Sequence, residues 1–389
     1  MNLKFFLFLL LFFSISSFSE DNVVLVISMD GLRYDYPEKS QSGGFSLLAS
    51  EGLVAESLIP VYQSTTFPTH VSMATGVHPD KHGIMHNSFY DKVKDDSYSY
   101  SPEANWIQIK PIWAYLEEKN IKTATYFWVG SETPWNGIDI TYSKFPFSNS
   151  VSEESKIDQI LDWLSLPDDE KPRLIMSWWH GIDSVAHKYG MKDKRVLKKF
   201  IDQDQHLLNL IDRIKARRLW DKLTLIVVSD HGMTDISNLI NIKQLLKQSE
   251  IKAKTSLGPA VGHIFLEDKN DLKRAIEALQ KNKFLKVKSK DDIHKDLKLN
   301  HPTRTGDIVV FTKSPNMLVS RMNNDPPIGM HGYNPEVNKD MEGIFLAYGY
   351  KIKPNKIGKV HQVDVAPTIL NLLQVEIPDY MEGKVIKLD

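Results

Sequence analysis

Acidic and histidine side chains follow directly after apolar runs at two distant places in this chain. Asp230 and His231 come after the run 223–228, and Asp30 comes after the run 23–28. Both runs are short and apolar on both faces, which is typical of buried parallel strands. Because open α/β sheets bind ligands at the carboxyl ends of their strands, these groups are candidate metal ligands. A plain turn and a helix cap are the simpler alternatives for the two motifs.

A third apolar run, 174–179, leads to Asp183 and His187. These two residues are four positions apart, so a helical turn places both side chains on one face, within reach of the same ion. His331 lies in a later turn that is flanked by glycines. With the three ligands at the other strand ends and the hydroxyl of Thr66, this set could form two neighbouring metal sites. Zinc suits such a mixture of carboxylates and imidazoles and makes no redox demands.

Thr66 stands at the predicted start of a helix. Pro68 suits the first helical position and Gly76 suits the residue after the helix end, so backbone N–H groups at the helix start point toward Thr66. A hydroxyl beside such donors can hold an anion and attack it, although a plain helix cap is the alternative. Asn87, in the turn-rich segment that follows, is a possible amide donor to a substrate oxygen. The four histidines between residues 70 and 86 are irregularly spaced, which favours structural or surface roles.

Strand and helix patterns alternate along most of the chain. A further strand is predicted at 121–128, an amphipathic helix at 157–164, and a long helix at 196–218 with Leu197 and Ile201 among its apolar residues. Such alternation is the signature of strands joined by crossover helices. We therefore expect an α/β fold built on a doubly wound, mostly parallel central sheet.

Residues 251–329 show a different pattern, with shorter strands and one helix near 272–279. We expect a small α+β insertion that packs beside the central sheet. The core then resumes with a final strand at 343–348 and a closing helix that begins near residue 361. On this interpretation, residues 20–389 form a single domain that carries one insertion.

The first residues of the chain have the pattern of a signal peptide. Lys4 precedes the apolar run 5–13, and small residues follow near position 19, which predicts a secretory signal at 1–19. An uncleaved anchor is the alternative, but the apolar run is short for a bilayer span. No cysteine occurs among the 389 residues, which excludes thiolate ligands and disulfides and suits a periplasmic enzyme. The balance of 48 basic and 49 acidic side chains gives no electrostatic footprint for a nucleic-acid polymer.

Seven motifs follow one another along nearly all of the predicted mature chain. They are Asp30-Gly31; Thr66-Phe67-Pro68-Thr69-His70; His82-Gly83-Ile84 with Asn87 and Phe89-Tyr90-Asp91; Phe127-Trp128-x-Gly130-Ser131; Asp183-Ser184-x-x-His187-x-x-Gly190; Ser229-Asp230-His231-Gly232-Met233; and His331-Gly332-Tyr333. In this order they resemble the nucleotide pyrophosphatase/phosphodiesterase (ectonucleotide phosphodiesterase) family of the alkaline phosphatase superfamily. The resemblance implies an alkaline-phosphatase-like fold, with three αβα layers.

The resemblance also implies two Zn²⁺ ions and assigns their ligands. One ion would be held by Asp183, His187 and His331, and the other by Asp30, Asp230 and His231 together with Thr66. Thr66 would be the nucleophile that forms a covalent phospho-threonine, which water later hydrolyses. Asn87 and the backbone N–H of Phe67 would donate hydrogen bonds to a non-bridging oxygen as charge develops on it.

In nucleotide-cleaving relatives, two aromatic rings hold the base between them. Phe67 occupies the first position, and an ungapped count back from Asp183 places Phe147 at the second, although Phe147 could instead be an ordinary core residue. The resemblance therefore implies an exported enzyme that hydrolyses phosphodiester or pyrophosphate bonds of a small nucleotide and releases nucleoside monophosphates. No nucleic-acid polymer and no stable membrane anchor are expected as partners.

Other members of the same superfamily supply the alternatives. A phosphodiesterase that acts on choline headgroups or lysophospholipids has the same metal ligands. The chain departs from the family pattern at Thr69, at Asn334 and in the segment 178–181, and these departures bear on substrate choice rather than on the metals. Within that segment, His180 could contact either the metal ligands or a substrate. A sulfatase is disfavoured because Thr66 cannot form formylglycine, and an inactive binding protein is disfavoured because every ligand position is filled.

Overall fold

The computed structural model describes residues 22–388, so the predicted signal peptide at 1–19 lies outside the described residues. The strands are β1 (Val23–Met29), β2 (Leu53–Ala55), β3 (Leu58–Ile59), β4 (Ser88–Asp91), β5 (Asp96–Ser99), β6 (Thr123–Tyr126), β7 (Tyr142–Lys144), β8 (Leu174–Trp179), β9 (Leu223–Val228), β10 (Thr234–Asp235), β11 (Asn238–Asn241), β12 (Ala253–Leu257), β13 (Val261–Leu266), β14 (Lys286–Ser289), β15 (Ile308–Phe311), β16 (Asn316–Val319), β17 (Gly329–Met330), β18 (Phe345–Gly349), β19 (Asn355–Ile357) and β20 (Val360–His361). The helices are α1 (Gly44–Glu51), α2 (Thr66–Thr75), α3 (Pro79–His82), α4 (Ile112–Glu117), α5 (Glu153–Leu164), α6 (Asp183–Tyr189), α7 (Lys194–Ala216), α8 (Ile242–Gln248), α9 (Leu272–Gln280) and α10 (Val365–Leu372).

Eight strands form the central sheet, in the order β19-β2-β18-β9-β1-β8-β6-β7. Strand β1 lies between β8 and β9 and runs parallel to both, whereas β18 runs antiparallel to its two neighbours. The mixed α/β class and the mostly parallel sheet predicted from the sequence are therefore confirmed. The strand at 343–348 was expected to be the last one. This prediction was wrong, because β19 follows that strand and extends the edge of the sheet.

Helices cover both faces of the sheet, which gives three layers. Side chains of β1 alternate between the two faces, with Val24 and Val26 in one apolar core and Leu25 and Ile27 in the other. The first core includes residues of α2, α4 and α10, and the second includes residues of α1, α5 and α7. Because successive side chains of β1 point to opposite faces of the sheet, this short strand contributes to two separate cores. Its sequence is therefore apolar throughout.

The long helix α7 occupies the predicted place, but its buried face is narrower than the apolar pattern indicated. Leu197 and Ile201 are 42% and 48% exposed, so their assignment to the buried stripe was wrong. Polar residues take part in the buried face instead. Asp204 is buried and accepts hydrogen bonds from the Ser40 hydroxyl and the Phe45 N–H, which holds the start of α1 against α7. Periodicity alone does not distinguish such a buried contact from a solvent-facing one.

The insertion contains an antiparallel four-stranded sheet in the order β12-β13-β15-β14. One apolar cluster joins this sheet to α9 and also to Ile240, Ile242 and Leu246, which belong to β11 and α8. The packed unit therefore includes elements that precede residue 251. Within residues 22–388, no helix combines the length and the apolar character that crossing a membrane requires.

Candidate active site

The carboxyl ends of β1, β8 and β9 bring the predicted ligands together. These strands are neighbours in the sheet, so Asp30, Asp183 and Asp230 emerge at the same edge. The Gly31 N–H donates to Asp230 Oδ1 over 2.9 Å. Gly181 has φ of +55°, and a Cβ there would lie 1.9 Å from the carbonyl oxygen of Asp30, so only glycine allows this close approach of the two strand ends.

All six predicted carboxylate and imidazole ligands lie in this one cluster. Ligand atoms of Asp183, His187 and His331 lie within 4.8 Å of one another, and so do those of Asp30, Asp183 and His231. Asp183 thus belongs to both groups. Asp230 was predicted to bind the same ion as Asp30 and His231. Its Oδ2 atom lies 3.1 Å from His231 Nε2.

Each of the three ligand histidines directs Nδ1 at a backbone carbonyl oxygen. A carbonyl can only accept a hydrogen bond, so Nδ1 carries the proton and Nε2 presents a lone pair, as a metal-binding histidine must. The pairs are His187 with the oxygen of Gly329 (2.8 Å), His231 with that of Gly232 (2.9 Å), and His331 with that of Ser64 (2.9 Å).

The carboxylates in this cluster have oxygens that make no hydrogen bond within the described residues. These atoms are Oδ1 of Asp30, Oδ1 of Asp183 and Oδ2 of Asp230, all of them buried. The Nε2 atoms of the ligand histidines lie 3.1 to 3.7 Å from these carboxylate oxygens. The lone pair of each unprotonated Nε2 therefore faces the lone pairs of a carboxylate oxygen. A cation between the groups would satisfy these lone pairs, and the donor set therefore fits a divalent metal.

The electrostatics of the cluster agree with that conclusion. Burial raises the pKa of Asp30 well above its ordinary value, and the neighbouring charges of Asp230 and Asp183 raise it further. Burial also opposes ionisation of Asp183, but contact with His187 outweighs it and lowers the Asp183 pKa. Burial and the nearby His231 lower the pKa of His331 well below its ordinary value. Asp30 thus resists ionisation and His331 resists protonation because the cluster is buried and crowded, and a bound cation would relieve both effects.

Thr66 is the first residue of α2, and its side chain reaches the metal cluster. Its Oγ1 lies 3.3 Å from His231 Nε2. Pro68 was predicted to be the first residue of this helix. The helix begins two residues earlier, at Thr66, so Pro68 is its third residue. Gly76 adopts φ of +69° at the helix end, in agreement with the prediction.

Asn87 lies beside this helix start but makes a different contact from the one expected. The Phe67 N–H donates to Asn87 Oδ1 over 2.9 Å, so this backbone group is not the free donor that the sequence analysis assumed. The contact fixes the side-chain amide of Asn87, because its oxygen must face the N–H. Its NH₂ group then remains as the donor for a substrate oxygen.

The other histidines near α2 make structural contacts. His70 lies 2.9 Å from the Ser28 hydroxyl and 2.8 Å from the Thr66 carbonyl oxygen, and His82 lies 2.9 Å from the Ser72 hydroxyl. These contacts join α2 to the end of β1 and to the segment that carries Asn87.

A cavity of about 800 Å³ opens beside the metal cluster, and both predicted stacking residues line it. Phe67 contacts Tyr100 edge to face, with ring centroids 5.1 Å apart. Phe147 stacks on Trp178 at 4.5 Å and contacts Phe127 at 5.3 Å. Phe147 is therefore at the cavity wall rather than only in the core.

Three further aromatic residues line this wall, namely Tyr100, Phe127 and Trp178. The sequence analysis included Phe127 in a motif and Trp178 in the segment 178–181, but it assigned none of the three to a cavity wall. One usable signal was the alternation at the end of β8, where Trp179 is fully buried and Trp178 faces the opposite side of the sheet. The sequence gives no such signal for Tyr100 and Phe127. Each residue lies just after the end of a strand and has a positive φ, so the alternation of side chains along the strand does not extend to it.

The insertion also contributes to the cavity through Pro259. The preceding Gly258 packs against the core, where a Cβ would lie 2.4 Å from Gln63 Oε1 and 2.6 Å from His86 Cδ2. A side chain at this position would therefore have to displace Gln63 or His86. The wall beside His331 is thus assembled from two parts of the chain that are far apart in sequence.

Comparison with protein families agrees with this site. The family model for type I phosphodiesterase / nucleotide pyrophosphatase matches residues 24–334. An uncharacterized pyrophosphatase/phosphodiesterase of Schizosaccharomyces pombe is 30% identical over 352 residues, which are 85% of this chain and 72% of that protein. Human bis(5'-adenosyl)-triphosphatase is 29% identical over 380 residues, which are 93% and 80% of the two chains. The venom phosphodiesterase of Macrovipera lebetinus is 27% identical over 373 residues, and the match spans only 44% of that longer protein.

Among solved structures, murine ectonucleotide pyrophosphatase / phosphodiesterase 5 has the same architecture. Its inactive variant, solved in complex with AMP, matches this chain with a TM-score of 0.85 and 25% identity. The match covers 92% of this chain and 96% of the murine chain. The alkaline-phosphatase-like fold expected from the sequence is therefore confirmed.

Proposed function

Because this chain belongs to the type I phosphodiesterase / nucleotide pyrophosphatase family, we propose that it hydrolyses phosphodiester or pyrophosphate bonds in nucleotides and releases nucleoside monophosphates. The observation that carries the proposal is the position of Thr66. Its hydroxyl lies between a cluster of metal-ligating side chains and a cavity lined by aromatic rings. A nucleophile, a site for cations and a surface for a base thus meet in one cavity.

The cofactors of this proposal are two Zn²⁺ ions. Asp183, His187 and His331 would hold one, and the other would be held by Asp30, Asp230 and His231 together with the Thr66 hydroxyl. When bound, zinc supplies Lewis-acid chemistry that lowers the pKa of a coordinated hydroxyl and neutralises charge on phosphoryl oxygens. The unpaired carboxylate oxygens and the histidine lone pairs that face them support this assignment.

In the proposed reaction, Thr66 Oγ1 attacks the phosphorus atom and the leaving group departs with the electrons of the broken P–O bond. This step produces a covalent phospho-threonine. Water then attacks the same phosphorus, releases the nucleoside monophosphate and restores the threonine hydroxyl. Asn87, with its amide oxygen held by the Phe67 N–H, directs its NH₂ group at a non-bridging oxygen and stabilises the charge that develops there.

Phe67 and Phe147 are proposed to hold the base by stacking. Such a contact contributes about 1–3 kcal/mol per base and tolerates different bases. The complex of the murine relative with AMP supports a mononucleotide as the bound group. We also propose that residues 1–19 direct export to the periplasm or the medium, without a stable membrane anchor.

Replacement of the nucleophile tests the proposal. Thr66→Ala should abolish turnover of a chromogenic nucleoside monophosphate ester while bound zinc, measured by metal analysis, stays unchanged. Thr66→Ser keeps a hydroxyl and should retain part of the activity. Thr75→Ala, at the far end of the same buried helix, controls for damage to α2. Full activity of Thr66→Ala would refute the nucleophile assignment.

The choline-headgroup alternative is not favoured by the comparisons, whose members carry pyrophosphatase, phosphodiesterase or triphosphatase names. It still makes an opposite prediction for the same enzyme preparation. A nucleotide enzyme should turn over a dinucleotide far faster than glycerophosphocholine. The reverse order would overturn the proposed substrate class.

A further inference from the structure

His180 lies in the wall of the catalytic cavity, directly beside Phe147. The two ring centroids are 5.7 Å apart and the ring planes meet at 61°. His180 follows β8 and precedes the metal ligand Asp183 by three positions, and the mechanism above gives it no role. A base stacked on Phe147 would therefore present its edge close to this imidazole.

A buried carboxylate fixes the orientation of His180. Glu153 Oε1 accepts the His180 backbone N–H over 2.9 Å and lies 3.2 Å from its Nδ1. Glu153 is itself held by Lys156, whose Nζ lies 2.9 Å from Oε2, and by Gln203, which donates to Oε1 over 3.3 Å. Glu153, Lys156 and Gln203 are buried, so this network is a rigid support behind the cavity wall.

The same network determines which imidazole nitrogen carries the hydrogen. Burial by itself would raise the pKa of Glu153, but the hydrogen bond from His180 and the charge of Lys156 outweigh it and lower the pKa to about 2. An ionised carboxylate only accepts hydrogen bonds, so Nδ1 of His180 is the protonated nitrogen. Lys156 Nζ is also 3.4 Å from Nδ1, but it donates to the Trp178 carbonyl oxygen over 3.1 Å. Nε2 of His180 is left as an acceptor.

This acceptor has no partner within residues 22–388. The Nε2 atom of His180 makes no hydrogen bond there and is shielded from solvent although its ring lines the cavity, so neighbouring side chains must shift for a base to reach it. Burying an acceptor without a partner is unfavourable, and an ion pair of Glu153 with Lys156 could exist without a histidine at this position. Glu132 and Asn149 are further polar residues of the cavity wall.

We propose that His180 Nε2 accepts a hydrogen bond from the exocyclic amino group of a nucleobase stacked on Phe147, so that the enzyme favours amino-bearing bases such as adenine. The inference rests on the proposed nucleotide hydrolysis and adds a specificity-determining residue to it. Stacking alone would not distinguish one purine from another, whereas a fixed acceptor rejects a base that presents a carbonyl oxygen at the same position.

ATP and ITP form the decisive substrate pair, because their purines differ only in the amino or keto group at position 6 and in the hydrogen that the keto form carries on N1. The wild-type ratio of kcat/KM for ATP over ITP should be about 10-fold, which corresponds to one hydrogen bond. In His180→Leu this ratio should fall to near 1. Because the ratio is measured within each variant, a general loss of activity does not affect it.

Two further variants serve as controls. His180→Gln retains an acceptor and should retain part of the preference for ATP. His206→Leu removes a histidine on α7 that does not line the cavity, and it should leave the ratio unchanged. Equal use of ATP and ITP by the wild type, or an unchanged preference in His180→Leu, would overturn the inference alone. Failure of the wild type to hydrolyse either nucleotide would overturn the proposed function and this inference with it.

Calorimetry with the zinc-loaded Thr66→Ala variant provides a readout without turnover. This variant should bind AMP more tightly than IMP.

Discussion

The indole Nε1 of Trp178 donates a hydrogen bond to Asp30 Oδ2 across 3.1 Å. The same ring stacks on Phe147, with centroids 4.5 Å apart. One side chain therefore links a predicted metal ligand to the aromatic wall of the cavity. Through this contact, the position of the proposed base-stacking ring Phe147 and the orientation of the Asp30 carboxylate depend on each other.

Trp178→Phe should separate these two effects. The variant keeps an aromatic ring behind Phe147 but removes the hydrogen bond to Asp30. Loss of such a bond to a metal ligand typically weakens metal affinity by about 10- to 100-fold. A competition titration with a zinc chelator should show this loss at one of the two sites. Trp113→Phe, at a buried tryptophan whose Nε1 makes no hydrogen bond to any described residue, should leave both affinities unchanged. Equal affinities for wild type and Trp178→Phe would show that the contact does not orient Asp30.

Zinc should stabilise the folded protein. Ions that bind only the folded state add about 2.7 kcal/mol when the free concentration is 100 times Kd, so the melting temperature should rise on zinc addition and fall with a chelator. Asp183→Asn should lose most of this response, because Asp183 belongs to both candidate groups. Asp202→Asn, at an exposed residue of α7, should respond like the wild type. A melting temperature independent of zinc would argue against both sites.

Arg304 should anchor the insertion to the core. Its side chain is fully buried and donates to Asp91 Oδ2 (2.9 Å) and to the carbonyl oxygens of Gly83 (2.6 Å) and Trp106 (3.0 Å). Arg304→Met leaves Asp91 buried without its partner, which should cost about 3–5 kcal/mol of unfolding free energy in a urea titration. Arg304→Met combined with Asp91→Leu removes the stranded charge and should recover part of that loss. A cost below about 1 kcal/mol for the single variant would contradict this account.

The network behind His180 should make stability depend on pH. The folded-state pKa of Glu153, about 2, lies below its ordinary value of 4.5. A depressed carboxyl pKa contributes stability above the unfolded value, and this contribution is lost as the pH falls from about 4.5 toward 2. The shift corresponds to a contribution on the order of 3 kcal/mol at neutral pH.

Unfolding of the wild type and Glu153→Gln at several pH values measures this contribution. The wild type should be more stable at pH 7, and the difference between the two proteins should shrink below about pH 4.5. A difference that stays constant from pH 7 to pH 3 would show that Glu153 is not ionised through its contacts with His180 and Lys156.

Much of the site was predictable because its residues belong to short local patterns. Buried parallel strands are apolar on both faces, so the ends of β1, β8 and β9 are visible in the sequence, and the ligands follow those ends within a few positions. The spacing of Asp183 and His187 likewise reports one helical turn. The resemblance of the ordered motifs supplied the remaining roles, including those of Thr66 and Asn87.

Local patterns failed where a contact depends on the packing of distant segments. The periodicity of α7 includes Leu197 and Ile201, but the width of the covered face is determined by the elements that lie against it, and both residues are exposed. The occupied N–H of Phe67 depends on a side chain that is 20 positions away. Neither outcome is encoded in the type or spacing of neighbouring residues.

The sequence by itself determined the α/β class and the strand ends that carry the candidate ligands, because burial and strand geometry impose short repeats on residue types. Only the tertiary structure decided how the cavity is built. It joined Trp178 to Asp30, placed Pro259 of the insertion in the wall and oriented His180 on the buried Glu153. The two hydrogen-bonded pairs are 148 and 27 positions apart, and only chain folding brings such residues within hydrogen-bonding distance.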